Sequence, residues 1–330
     1  MLAVIVLNWN GGEDLSACLR SVYASEDCGT EIVVYVPDNA STDGSYQTAQ
    51  REFPQARPIQ NGGNLGFSGG NNPGWRQAIN DGAEWIFFLN NDAVVAPDCL
   101  KRMLAVCRDN PKIGAASPRI FRGTPKTNPH GESVWFEKGI CDFSLFCPID
   151  HVAATEAERA SVWFETATCT GCGFLTTAKI LAETGGFDEG FFAYYEDVDL
   201  SLKIQSKGLT CAVVPGAKAW HKVSQSTKHE VSPSEAFYCW RNLYHLGRRH
   251  VKPEGQKLFV KQYLSRAWRQ MVQDTRRGQT ILAQTILQGC RAAITGHSGQ
   301  RPPRRPGMVN RVIVKLLSAL MTSREIIRGA

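Results

Sequence analysis

No apolar run in the chain reaches the ~18 residues that a membrane-spanning helix needs. The first residues, Met1-Leu2-Ala3-Val4-Ile5-Val6-Leu7, carry neither a basic flank nor a small-residue cleavage site. They read as a buried first strand, not as an export leader. Cysteine is present without a pattern. Eleven residues, an odd number, are scattered over 330 positions, unlike the dense framework of a small secreted domain. Cys169-Thr170-Gly171-Cys172 has C-x-x-C spacing, but no second pair stands at zinc spacing, so these read as small buried side chains of a reduced protein. There is no internal repeat. With 43% apolar and 21% charged residues, the chain is neither disordered nor collagenous.

Charge is unevenly spread. The net charge is +6, yet residues 251–330 hold fifteen Lys/Arg against three Asp/Glu, and residues 1–250 are net −6. A basic tail on an acidic body expects a polyanion, either nucleic acid or an anionic membrane surface.

The first 120 residues alternate strand-like and helix-like segments. Leu2–Leu7, Ile32–Val36, Trp85–Leu89 and Ile113–Ser117 are short, almost wholly apolar runs, separated by helical patterns such as Glu13–Tyr23 and Asp98–Arg108. Continuous apolar strands alternating with helices predict a mainly parallel α/β sheet covered on both faces. Ligands of such sheets bind beyond the carboxyl ends of the strands. Three of those ends are rich in Asn and Asp: Asn8-Trp9-Asn10, Asp38 to Ser45, and Asn90-Asn91-Asp92. One such end is an ordinary turn; three in succession point to a site.

Asp92, with neighbouring Asn, suits a hard cation such as Mg²⁺ or Mn²⁺, which takes few protein ligands when phosphates and water complete its shell. Asp38 suits a nucleobase imide or a ribose, or a helix cap. The glycine-rich stretch Asn61–Asn72 opens a helix but is neither G-x-G-x-x-G nor a Walker A loop. Glu196, Asp197 and Asp199 follow Phe191-Phe192-Ala193-Tyr194-Tyr195. They read either as acidic residues favouring a helix start or as a general base. His221 follows the last strand and is a ligand or a surface histidine.

From Pro253 the chain turns basic and helical. Gly296–Gly307 is a Pro/Arg-rich linker. Val309, Val312, Ile313, Leu316, Leu317, Leu320 and Met321 then form the apolar stripe of an amphipathic helix over 308–328. A basic amphipathic helix suits the interface of an anionic membrane, or packing against protein.

Together these segments resemble the family 2 glycosyltransferases, and the rhamnosyltransferase-like branch most. The matching residues are Val4-Ile5-Val6-Leu7-Asn8-Trp9-Asn10, Asp38-Asn39-Ala40-Ser41-Thr42-Asp43-Gly44-Ser45, Asn64 to Asn71, Leu89-Asn90-Asn91-Asp92, Gly185-Gly186-Phe187-Asp188-Glu189 and Glu196-Asp197-Val198-Asp199-Leu200. The resemblance implies a GT-A fold over residues 1–250, with a basic, mainly helical extension over 251–330. It implies an inverting transfer of a hexose, L-rhamnose first, from a dTDP or UDP donor to a saccharide or polyprenyl-linked acceptor in surface polysaccharide synthesis. Asp197 would be the catalytic base. Asn8, Asn10, Asp38, Asn64, Gly70, Asn71 and Asn91 would line the nucleotide-sugar site, with Trp240 and Arg241 near donor or acceptor. Asn90, Asp92 and His221 would hold the divalent cation, Asn90 standing where the family often has Asp. The expected place is the cytoplasmic face of the membrane, and no nucleic acid partner is expected. The alternatives are an inactive scaffold of this fold and a polyanion-binding protein acting through its tail.

Overall fold

A computed structural model describes residues 1–143, 149–222 and 231–301. The helix expected over 308–328 lies outside them. The strands are β1 (Leu2–Leu7), β2 (Ile32–Asp38), β3 (Arg57–Gln60), β4 (Trp85–Asn90), β5 (Ala93–Val95), β6 (Ile113–Arg122), β7 (Val134–Phe136), β8 (Lys138–Cys141), β9 (Ile149–Val152), β10 (Phe164–Thr166), β11 (Gly173–Thr177) and β12 (Thr210–His221). The helices are α1 (Gly12–Tyr23), α2 (Ser45–Glu52), α3 (Gly66–Asn80), α4 (Cys99–Asp109), α5 (Glu156–Ala160), α6 (Ala178–Thr184), α7 (Glu196–Ser206), α8 (Pro233–His250), α9 (Gln256–Arg276) and α10 (Thr280–Ile294).

The main sheet has the order β10-β12-β6-β11-β4-β1-β2-β3, with β5 on β12 and β7 on β6. Strands β4, β1, β2 and β3 form a parallel block, as the apolar runs predict. Alternate residues of β1 enter opposite cores. Leu2, Val4 and Val6 meet α1, α2 and α4, whereas Ala3 and Ile5 meet α3, α6 and α7. Burial on both faces is why these strands lack polar alternation.

Strand β11 runs antiparallel to both neighbours, β4 and β6. The sheet is therefore mixed. Reversal at β11 brings the Cys169–Cys172 turn to the carboxyl end of β4, where the Asn90 amide donates to the Cys172 carbonyl. Helix α3 lies close on β1 and β2 because Gly70 and Gly74 leave no side chain between them. A Cβ at Gly74 would stand 2.7 Å from Pro37 and 2.8 Å from Ile5.

Two compact units make up the chain. The first holds the strands and α1–α7; the second holds α8–α10 and the stretch 190–195. Helix α8 groups with α9 and α10 in the second unit. The reason is packing: Gly289 of α10 sits so close to α8 that a Cβ there would stand 2.7 Å from the Phe237 carbonyl. Among the described residues no helix is long and apolar enough to cross a membrane.

Candidate active site

The parallel block delivers Asn8, Asp38 and Asn90 to one rim, because β1 pairs in register with β2 and β4. Asp38 is wholly buried, 1% exposed, and acts as a hub. Its Oδ1 accepts from Asn8 Nδ2 at 2.8 Å. Its Oδ2 accepts from the Ser41 amide at 3.0 Å and from Gln60 Nε2 at 3.3 Å. Asn8 Nδ2 also lies 3.0 Å from Ser41 Oγ and 2.9 Å from Ser45 Oγ. Asn8 Oδ1 accepts from Asn91 Nδ2 and from the Gly11 amide, both at 3.2 Å. One buried asparagine therefore ties all three strand ends together.

Exposed groups at this rim come from Asn10 and the turn after β2. Asn10 has φ 52°, and its Oδ1 accepts from the Thr42 amide at 2.8 Å. Trp9 is 56% exposed. Asn64 forms the turn before α3, its Oδ1 accepting from the Gly66 amide at 2.9 Å. Gly70 is a contact glycine, whose Cβ would lie 2.7 Å from Leu7 and 2.9 Å from Asn39 Nδ2. Asn71 donates to the Phe67 carbonyl at 2.9 Å.

Gly11 has no room either. A Cβ there would lie 2.6 Å from both Asn8 Oδ1 and Asn91 Nδ2. Gly11→Ala is expected to force that pair apart and to destabilise the chain by about 1–3 kcal/mol, the ordinary range for overpacking. A lower melting temperature checks this.

His221 reaches the rim through β5, too short for the sequence to show. Strand β12 pairs antiparallel with β5, setting His221 opposite Ala93, the residue after Asp92. His221 Nε2 lies 3.0 Å from Asp92 Oδ1 and 3.4 Å from Asn90 Nδ2. The ring's Nδ1 is buried without a hydrogen-bond partner, which leaves Nε2 as the interacting nitrogen. Burial disfavours a charged ring, but the adjoining Cys172 and the Asp92 carboxylate outweigh it and raise His221 to about 10, so a cation at Nε2 has to displace that proton.

Asp92 and His221 fit a divalent cation. Adjacent ligands on an octahedral ion with bonds of about 2.1 Å stand about 3.0 Å apart, which is the spacing of these two atoms. Among the described residues no group of three or more His, Cys, Asp or Glu could hold a metal. A bound ion would rest on this pair, with the Asn90 amide beside it and the remaining positions left to phosphate oxygens and water.

Asp197 stands at the start of α7. Its Oδ2 accepts from the Gly171 amide and its Oδ1 from the Val198 amide, both at 2.8 Å. Gly171 belongs to the Cys169–Cys172 turn. Backbone contacts therefore run from Asn90 through Cys172 and Gly171 to Asp197. Cys169 and Cys172 are free thiols, both buried.

Burial raises Asp197, while the Gly171 and Val198 amides pull it back toward its ordinary range. Glu196 is buried too; burial and then the Asp197 charge push it well above its ordinary value, and its Oε2 has no hydrogen-bond partner. Two adjacent carboxyls in unequal surroundings separate in acidity. Burial opposes charge on Glu196 more strongly, and Asp197, with two amide donors, is the better placed of the two to ionise.

Arg241 departs from expectation. It belongs to the second unit, where its neighbour Trp240 packs on Tyr263 at 5.9 Å. Arg241 is fully buried, and its Nη2 is spent on the carbonyls of Gly190 and Phe191 at 3.0 and 2.7 Å. A guanidinium so engaged has no group left for a donor. Sequence reasoning placed Ser41 and Ser45 at the rim without a role and missed Gln60; these are the groups that hold Asp38 and Asn8.

Comparison with known proteins decides the family. The model for glycosyl transferase family 2 matches residues 3–184, more than half the chain. The chain is a family 2 glycosyltransferase. The transferase is 25% identical over 268 residues to the N-acetylglucosaminyl-diphospho-decaprenol L-rhamnosyltransferase of Mycobacterium tuberculosis, covering 76% of this chain and 85% of that protein. It is 25% identical over 199 residues to the rhamnosyltransferase WbbL of Escherichia coli, covering 58% and 73%. The crystal structure of GalNAc-T7 with UDP, GalNAc and Mn²⁺ superposes with a TM-score of 0.57 at 16% identity, over 80% of this chain and 54% of that one. That likeness shows the GT-A fold.

Proposed function

We propose that this transferase moves L-rhamnose, with inversion, from a dTDP or UDP donor to a hydroxyl of a polyprenyl-diphosphate-linked saccharide at the cytoplasmic face of the membrane. The observation that carries a transfer site is the convergence of three groups on one rim: the Asn8–Asp38 hub, the Asp92–His221 pair and Asp197. The rhamnosyltransferase relatives support the sugar and the lipid-linked acceptor.

The roles follow from charge. Asp38 shapes the nucleoside pocket from beneath: buried itself, it fixes Asn8, the Ser41 turn and Gln60. Asn10, Asn64, Asn71 and Asn91 frame the turns around that pocket. Asp92 and His221 would hold Mg²⁺ or Mn²⁺ beside the diphosphate, and such a cation when bound offsets negative charge on the leaving group. Asp197 accepts the acceptor's hydroxyl proton as that oxygen attacks the anomeric carbon from the side opposite the diphosphate. One displacement inverts the centre and needs no carboxylate nucleophile.

The experiment is a thermal-shift panel of dTDP, UDP, GDP and CDP, each with and without Mn²⁺, since a ligand bound to the folded state raises its stability. A Mn²⁺-dependent shift with dTDP or UDP alone is expected. No shift with any of the four would count against a donor site at this rim.

A further inference from the structure

Five non-glycine residues in the described chain have positive φ, and three of them crowd into four positions: Phe192 at 63°, Tyr194 at 70° and Tyr195 at 71°. Side chains rarely adopt this backbone conformation, so a cluster persists only where its surroundings impose it. What imposes it here is a buried pair on α8. Asn242 Nδ2 lies 3.0, 2.7 and 2.8 Å from the carbonyl oxygens of Phe191, Ala193 and Tyr194. Arg241 Nε donates to Asn242 Oδ1 at 2.9 Å. Because a guanidinium only donates, that bond fixes the amide and aims Nδ2 at the carbonyls. Arg241 itself grips Gly190 and Phe191, and the Gly190 carbonyl also accepts from the Gly299 amide at 2.8 Å. Phe192 stacks on Tyr238 of the same helix, centroids 5.0 Å apart.

We propose that Arg241 and Asn242 are positioning residues: a clamp that imposes the high-energy shape of Gly190–Tyr195, and so sets the direction in which the chain enters Glu196-Asp197. Tyr195 and Asp197 are two residues apart, so a backbone turn lost in this stretch is passed along the chain to the base. The clamp rests on the transferase reading only for its effect on transfer; the shape of the segment is testable by itself.

The test compares the full chain with Asn242→Asp, which keeps the shape and removes the donor, and with the milder Asn242→Gln. Two readouts are needed. In limited digestion with proteinase K, scission within 190–195, located by mass spectrometry, is expected to be about tenfold faster in Asn242→Asp, following the population of the opened segment. The kcat for transfer is expected to fall about tenfold or more, as for a misplaced catalytic group, while the thermal shift given by dTDP or UDP with Mn²⁺ stays as in the wild type. Scission at the wild-type rate in both variants would overturn the clamp. Faster scission with unchanged kcat would overturn its role in positioning Asp197. A wild-type chain without transfer or nucleotide shift would instead count against the transferase reading, and the scission rates would still decide the clamp.

Discussion

Asp197→Asn is expected to lower kcat by about 10²–10⁴-fold, the usual contribution of a positioned base, and to leave the nucleotide-induced thermal shift in place. The amide has the same shape but no basic oxygen. It also turns one N–H toward the Gly171 or Val198 amide, which the carboxylate accepts from, so a small loss of melting temperature is expected. The pH profile supplies a second check. The base works only when ionised, and burial raises its pKa above that of an ordinary aspartate. Activity should therefore fall as pH drops through a value above that of an ordinary aspartate, and Asp197→Asn should abolish that limb. Near-wild-type kcat in the variant would remove Asp197 from the chemistry.

The second large effect concerns Asp92. Asp92→Ala removes the carboxylate 3.0 Å from His221 and leaves the imidazole as the one remaining member of the pair. A cation that offsets diphosphate charge is worth several kcal/mol in the transition state, so a loss on the order of 10²-fold or more in kcat is expected. Binding gives a readout independent of catalysis. The difference that Mn²⁺ makes to the dTDP or UDP thermal shift should vanish in Asp92→Ala and be reduced in His221→Ala. If Asp92 and His221 form only a structural ion pair, both variants will melt lower while the Mn²⁺ difference persists. The side chains are 33% and 11% exposed, so the pair is open enough on the Asp92 side for that difference to be read.

Much of the fold was legible because burial on both faces writes itself as unbroken apolar runs. Strands β1, β2 and β4 and the polar residues that follow them could be read for that reason, and with them Asn8, Asp38, Asn90 and Asp92. Short or edge strands carry no such signal. Strand β5 is three residues long and β3 is mostly exposed, yet β5 is what sets His221 beside Asp92 across a gap of 129 positions. The reversal at β11 was equally silent, since Gly173–Thr177 is buried like its neighbours and strand direction leaves no mark in composition.

Asp38 shows a different limit. Its place at a strand end was readable, but its enclosure was not: three donors from Asn8, Ser41 and Gln60 surround it, and side-chain hydrogen bonds over such separations leave no periodicity. Arg241 shows the same limit in reverse. The resemblance places it near donor or acceptor, and only packing reveals that its donors are spent on the carbonyls of a strained segment.

By itself, the sequence determined the alternation of strands and helices, the identities of the polar residues at the strand ends, and the family to which they belong. Tertiary structure decided which of those residues meet: His221 with Asp92, Gly171 with Asp197, Asn242 with the carbonyls of 191–194. Local preference and burial are properties of short windows of chain. The pairing of distant groups depends on strand order, register and close helix approach, which exist only once the chain has packed.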